Sequence, residues 1–481
     1  MKKRIIITAV FVLFSAGINA QVRDTIVKIF TISNTPNYYQ PWQMVGQSSS
    51  SGSGCIIEGK KILTNAHVVS DVTFIQVRRN GETKRFTAKV AAIDHDVDLA
   101  VLSVEDESFF EGATALEIGE TPEQGDTVQV YGFPMGGDKL SITKGVVSRV
   151  ELSVYSHSMR SFLNVQIDAA INRGNSGGPL IKDGKVAGVA FQSFRDAENI
   201  GYTIPPLIIN HFLEDIKDGK YRGFPSLGIS WQELENDAHR EKLGMKEDMT
   251  GIVINRVVYD SSAWGVLREN DVILSMDGID IDNDGTVPFR MQDRINFAHV
   301  INTKYGGDTL KISVLRDKKK KDIKVRLKGR EELIQSVIYD KKPEYYIFGG
   351  IVFTKLTGNF LREWGDVRKA PVELVKNYYH DIKTQDKQEV VILLQVLADD
   401  TNVGYHNFRA MPLENVNGKA VKDMNGLIEA VESNKEKYIV FEFSGKAKIV
   451  LEHEKSKKAS LDILDRYMIP SDRSDNFVKA E

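Results

Sequence analysis

The chain has 481 residues, 42% hydrophobic and 27% charged, with a formal net charge of −3. That length exceeds one ordinary core and predicts about three domains, while the near-neutral charge offers no basic face for nucleic acid. Cys55 is the single cysteine, so no internal disulfide can form. No Cys/His grouping has zinc-like spacing and no glycine loop has phosphate-binding spacing, so no metal or nucleotide cofactor is expected.

Taken in chain order, "MKKR", "IIITAVFVLF" and "SAGINA" form a basic, an apolar and a small-residue segment. That is the three-part form of a secretory signal peptide over residues 1–20, cleaved after Ala20. Its apolar run is too short for a comfortable membrane span. The expectation is an exported protein, periplasmic in a Gram-negative cell, with no stable membrane insertion after cleavage.

From residue 22 to 205, "KILTNAHVV", "FTAKVAAID", "DTVQVYGFP", "GVVSRVELSV", "FLNVQID" and "KVAGVAFQ" read as short strands punctuated by Gly, Asn and Asp. Without intervening helices they predict an all-β barrel or sandwich. "PPLIINHFLEDIKDG" (205–219) carries Leu207, Ile208, His211, Phe212 and Ile216 at helical spacing and closes that region. A second β-rich unit starts at "FPSLGISW" and ends near residue 330; its "DKKKKD" (317–322), between two alternating runs, predicts a solvated hairpin tip. Residues 331–481 weakly repeat that order, from "YYIFGGIVF" through the helix-like "MNGLIEAVES" to "YIVFEF". The fold class is therefore mostly β, and the boundaries read 1–20, 21–222, 223–330 and 331–481.

Within the first region, "GNSGGP" places Ser176 between glycines. Gly174, Ser176 and Gly178 also satisfy the nucleophile elbow of the α/β-hydrolases. A serine hydroxyl needs a base and a group that orients the base. "ILTNAHVV" supplies His67, and "DHDVDLAVL" supplies Asp98, which runs straight into an apolar stretch. A carboxylate there needs a partner such as an imidazole N–H to offset its desolvation; Asp94 and Asp96 are expected to face solvent. The order His, Asp, Ser is the reverse of the α/β-hydrolase order, and an Asp183–Gly184 hairpin follows the serine where an elbow demands a helix.

"TNAH", "DLAVL" and "GNSGGP" resemble the active-site motifs of the Deg/HtrA family, trypsin-like proteases with C-terminal PDZ domains. "SLGIS" is similar to the loop that opens an HtrA-type PDZ domain. "VLRENDVILSMDG" is similar to a later segment of that domain, with Asn270 where glycine is usual. "NDGTVPFR" and the divergent C-terminal part resemble the plant Deg branch. The resemblance implies a chymotrypsin-like double β-barrel protease domain followed by two PDZ-like α+β domains. It implies His67 as general base, Asp98 as its orienting partner and Ser176 as nucleophile, with the oxyanion hole at Gly174, Asn175 and Ser176.

The same resemblance puts the base of the substrate pocket at Ala170, where no acidic residue stands to favour a basic P1 side chain. Ile171, Phe191 and Gln192 would line the pocket for a small or medium aliphatic residue. By position, 193–205 and 152–162 would be regulatory loops. Leu227, Gly228 and Ile229 would hold a peptide carboxylate by strand addition; "FGGIV" (348–352) is the nearest counterpart in the last domain, where a structural role is expected instead. The implied function is an ATP-independent serine endopeptidase that degrades misfolded exported proteins. Its implied partners are unfolded protein and peptide C-termini, and it would assemble as a trimer or hexamer, with "NTPNYYQPW" (34–42) as either an aromatic contact or a loose loop. The competing readings are a catalytically silent PDZ-based chaperone or binding protein and a dedicated processing protease.

Overall fold

The computed structural model describes residues 21–193, 200–290 and 293–477, so the leader-like segment 1–20 and residues 194–199 lie outside the described residues. By its contacts the chain divides into two units. Of the described residues, one holds those within 21–33, 47–256 and 265–329, and the other those within 34–46, 257–264 and 330–477.

In the first unit, β1 (Ile26–Pro36), β2 (Met44–Ile57), β3 (Lys61–Thr64), β4 (Val72–Arg79), β5 (Phe86–Asp94) and β6 (Leu99–Val104) close into a barrel. Its order is β1-β2-β3-β6-β5-β4. Alternation explains it: Val27 and Ile29, then Ile75 and Val77, then Ala100 and Leu102 point into one core. The serine- and glycine-rich β2 has no such pattern. Its second half is buried because glycine alone fits: a Cβ on Gly54 would lie 2.9 Å from Ile62 Cγ2 and from the Leu63 carbonyl.

A second barrel follows from β7 (Thr127–Gly132), β8 (Ser141–Tyr155), β9 (Arg160–Ile167), β10 (Pro179–Lys182), β11 (Lys185–Ser193) and β12 (Gly201–Ile204), ordered β10-β11-β12-β9-β8-β7. Asp183 and Gly184, with φ of 52° and 79°, form the two-residue turn expected between β10 and β11. Segment 152–162 departs from the expected loop: it is the end of β8 and the start of β9 around a turn at 156–159. The physical reason is that Tyr155 and Phe162 are fully buried ring partners with centroids 5.4 Å apart.

Helix α1 (Pro206–Asp215) starts on proline and buries Ile208, Ile209 and Phe212. Its His211 stacks between Phe224 and Tyr305, at 4.1 and 3.9 Å between centroids, with Nε2 2.9 Å from the Lys304 carbonyl. The next sheet runs β13 (Ile229–Gln232), β14 (Ile252–Val257), β15 (Val272–Met276), β16 (Thr309–Arg316) and β17 (Lys319–Arg326) in that order. The lysine run resolves into a tight Asp317–Lys318 turn, φ 52° and 60°, with the exposed Lys319, Lys320 and Lys321 on β17. Asn270 has φ 66°, a conformation asparagine tolerates nearly as glycine does, which explains the departure noted there. Side chains fasten this module to the second barrel: Arg290 donates to the Pro122 carbonyl at 2.9 Å and Asn302 to the Ser161 carbonyl at 3.0 Å.

In the second unit, β18 (Tyr345–Phe348), β19 (Ile351–Lys355), β20 (Val391–Val396), β21 (Met411–Val416), β22 (Tyr438–Phe443) and β23 (Lys448–Glu452) lie side by side in chain order. Helices α2 (Met424–Glu432) and α3 (His453–Arg466) pack in the same unit. The "NTPNYYQPW" segment packs within this unit while Tyr39 stays 44% exposed. Tyr39 sits edge-on to Phe360 and Trp364, at 5.8 and 6.2 Å, and Trp42 edge-on to Tyr345 at 5.6 Å. Asn402, fully buried, ties the unit's turns together, donating to the Gly349 and Leu397 carbonyls at 2.9 and 2.8 Å and accepting from Asp399 N–H at 3.0 Å. Asn402→Ala strands these groups and is expected to cost about 2–4 kcal/mol, read as a lowered urea midpoint of the full chain.

Candidate active site

The "TNAH" segment leaves β3 and turns through a short 3-10 helix at Ala66–Val68, lifting His67 to the barrel rim with its side chain a third exposed. Asp98 stands just before β6 at φ 56°, with its side chain 1% exposed. Its Oδ2 lies 2.7 Å from His67 Nδ1, and its Oδ1 accepts the His67 backbone N–H at 2.8 Å. Asn65 completes the clamp, donating from Nδ2 to the Asp98 carbonyl at 2.8 Å. With Nδ1 engaged, Nε2 is the nitrogen left to take a proton.

Burial disfavours the His67 imidazolium, but the charge of Asp98 and its hydrogen bond outweigh that and raise the pKa above the usual imidazole value. Burial likewise opposes ionisation of Asp98. The charges of His67 and His157 and the bonds from His67 outweigh it and hold the carboxyl below its usual range.

Ser176 precedes β10, on the other barrel, and its neighbours press against the strands that carry His67. A Cβ on Gly177 would meet the Ser53 carbonyl and Thr64 Oγ1 at 2.2 Å, and one on Gly178 the Tyr131 carbonyl at 2.1 Å. Ser53 N–H donates to the Ser176 carbonyl at 2.9 Å. The backbone amides from 174 to 178 divide cleanly. Asn175 N–H goes to the Asn172 carbonyl at 2.9 Å, Gly177 N–H to Ala190 at 2.8 Å and Gly178 N–H to Asn175 at 2.9 Å. Among the described residues, Gly174 N–H and Ser176 N–H are spent on no acceptor. Asn175 therefore departs from the expected oxyanion set: it separates the two open amides and offers none of its own.

Two bonds fix that loop. The Arg173 carbonyl accepts from Met135 N–H at 2.7 Å, which in a trans peptide turns the Gly174 N–H to the opposite side. Ser53 Oγ donates to the Gly174 carbonyl at 2.7 Å and accepts from Phe133 N–H at 2.8 Å. Ser53 and Asn65 were missed in the sequence, although the "SGSG" and "TNAH" runs carried them in plain view.

The expected pocket residues separate. Ala170 is exposed, while Ile171 is buried with Ala169 and Ala190 in the barrel core. Phe191 is buried, its ring 4.5 Å from that of Tyr155 and inclined by 40°, at a bulge between Ala190 and Gln192. Gln192 pairs through its backbone with Tyr202, and its side chain lies outside the described residues. Asp94 and Asp96 also differ from expectation. Asp94 is 2% exposed, and Asp96 is ion-paired with Arg160, which also donates to the Phe224 and Pro225 carbonyls at 3.2 Å.

Leu227 is buried, Gly228 has φ 70°, and Ile229 opens β13, the edge strand of its sheet. Trp231 on β13 packs edge-on to Phe297, 5.0 Å away, at the start of the helix Ala298–Asn302. That leaves an open strand edge beside a helix. The "FGGIV" hairpin contrasts with it: β19 is paired on both sides, and β18 exchanges bonds with the chain's own 472–474 segment, Ile347 N–H to Asp472 at 2.7 Å and Ser474 N–H to Tyr345 at 3.1 Å.

Comparison with known proteins finds family matches along the chain. The profile of a trypsin-like peptidase domain matches residues 52–189, and PDZ domain profiles match 225–327 and 334–476. Protease Do-like 2, chloroplastic, of Arabidopsis thaliana is 42% identical over 460 residues, covering 95% of this chain and 76% of that protein. Protease Do-like 4, mitochondrial, from the same plant is 42% identical over 449 residues, covering 93% and 84%. Among solved structures, the HtrA-type protease AlgW with decapeptide shares the fold, with a TM-score of 0.51 at 24% identity over 66% of this chain and 98% of that one.

Burial first, and the neighbouring Asp96 charge second, push the Asp94 carboxyl up to about 7. A carboxyl raised on folding stabilises the protein while protonated, and that contribution is lost as pH rises from the ordinary aspartate range through about 7. Asp94→Asn is expected to flatten the fall in thermal stability across that interval, measured as melting temperature against pH.

Proposed function

This chain belongs to the Deg/HtrA family of serine endopeptidases that carry PDZ domains, and we propose that it degrades misfolded exported proteins through an acyl-enzyme on Ser176. His67 Nε2 takes the Ser176 proton as Oγ attacks the scissile carbonyl carbon, and the carbonyl electron pair moves to oxygen. Gly174 N–H and Ser176 N–H receive that oxyanion. As it collapses the C–N bond breaks, and His67 passes the proton to the leaving amine. Water activated by His67 then releases the acid and restores Ser176. Asp98 holds the His67 tautomer with Nε2 unprotonated and offsets the charge that forms on the ring.

The observation that supports this reading most is the alternation of spent and open amides around Ser176. Donors aimed at a developing oxyanion are each worth about 3 kcal/mol of transition-state stabilisation. No acidic residue stands at Ala170, so a small or medium aliphatic P1 side chain is favoured over a basic one. The open edge of β13 beside Leu227, Gly228 and Ile229 suits a peptide C-terminus added as a strand. The doubly paired β19 favours a structural role for the last domain. The basic, apolar and small-residue N-terminus supports export with residue 21 as the mature start, and family membership supports a trimer or hexamer. Among the described residues, no helix is long and apolar enough to cross a membrane.

A serine-directed phosphonate, with the site read by peptide mass spectrometry in the presence of unfolded protein, tests the chemistry. Labelling is expected at Ser176, absent in Ser176→Ala and slowed at least about a thousandfold in His67→Ala; an unlabelled wild-type protein would leave the silent PDZ-based reading in its place. Because Asp98 raises the His67 pKa, the rate should fall as pH drops through a midpoint above the usual imidazole value. Ser53→Ala frees the Gly174 carbonyl and is expected to lower kcat about tenfold or more with KM little changed, measured on an unfolded protein substrate.

A further inference from the structure

Beside the triad, and unused by the chemistry above, lies a second pair of imidazoles. His157 comes from the turn between β8 and β9 and is 6% exposed; His95 comes from the turn between β5 and β6. His95 Nδ1 and His157 Nε2 are 2.9 Å apart, with ring centroids at 5.2 Å. The His157 ring is in turn 6.1 Å from that of His67, inclined by 52°. The His157 ring, supplied by the other barrel, thus neighbours both the His67 and the His95 ring.

Two imidazole nitrogens at that separation need one proton between them, one ring donating and the other accepting. The contact suits a neutral pair or a pair with one imidazolium, and fails when both rings are protonated. The charge of His157 also favours the ionised Asp98, second among charges to that of His67. The ionisable groups nearest these two turns include Asp94, Asp96, Arg160 and Tyr155, with Tyr221 bonded to Asp94. Asp96 and Arg160 neutralise each other, and burial and the Asp98 charge keep the Tyr155 phenol protonated. Asp94, pushed up to about 7, changes charge near neutral pH.

Asp98 by itself makes His67 a stronger base, and a base that keeps its proton cannot take one from serine. A second imidazole facing the same carboxylate competes for its charge, and two imidazolium rings at this separation repel each other. We propose that His157, anchored by His95, is a positioning residue of the base: it shares the field of Asp98 with His67 and limits how tightly His67 holds its proton. This rests on the triad assigned above.

The test is the pH dependence of phosphonate labelling of Ser176 in the full chain. His157→Gln is expected to move the acid midpoint upward by about half to one pH unit. His95→Phe, which unhooks the ring, should move it the same way and decides the question if His157→Gln does not fold. A purely structural contribution would scale the rate at every pH and leave the midpoint in place; an unmoved midpoint overturns the proposal. An equal shift in Asp94→Asn assigns the limb to Asp94 and overturns it as well. Wild-type protein unlabelled at every pH removes the triad assignment and this proposal with it, whereas labelled wild type with coincident midpoints removes this proposal alone.

Discussion

A carboxylate that is 1% exposed must be compensated where it stands, and the site is organised around that demand at Asp98. Its two oxygens take the backbone and the ring of His67, and its carbonyl takes Asn65. The left-handed backbone at Asp98 and the 3-10 turn at Ala66–Val68 are the local conformations that let one residue face both donors. The orientation of the base therefore follows from satisfying a buried charge. The raised proton affinity of His67 follows from the same contact.

The second constraint is steric. The backbones of the two barrels approach beside Ser176, where Gly177 faces Ser53 and Thr64, while Gly174 and Gly178 admit the 131–135 segment of their own barrel. A side chain at any of them would meet backbone atoms at 2.5 Å or less. Close approach also sorts the amides: those of 175, 177 and 178 are taken up in fixing the turn, and those of 174 and 176 donate to no acceptor among the described residues. Ser53, from the barrel that carries the base, holds the Gly174 carbonyl and so links both halves. The imidazole pair His95–His157 is a second link between the barrels.

The two C-terminal modules show how one architecture serves different ends. In the first, β13 is the edge strand of its sheet among the described residues, the position that strand addition uses. In the second, both sides of β19 are paired, and the 472–474 segment is bonded to β18. An edge already satisfied by its own chain has no backbone groups to offer a peptide.

The sequence determined what local chemistry and spacing can carry. The alternating runs of both barrels, the α1 stripe, the Asp183–Gly184 turn and the order of His67, Asp98 and Ser176 were legible because each depends on residue type within a few positions. Tertiary structure alone decided the rest. The run "SSSSGSG" carries no strand signal, yet it forms β2 because neighbouring strands exclude a Cβ at Gly54. Asp94 and Asp96 look like solvated loop charges, yet one is buried and the other is held by Arg160, which lies 64 residues away. Phe191 lies against Tyr155, and Ile171 lies in the core with Ala169 and Ala190, a division that sequence spacing does not show. His157 gave no signal at all, because its meaning is its distance from two other rings, and the folded chain alone sets that distance.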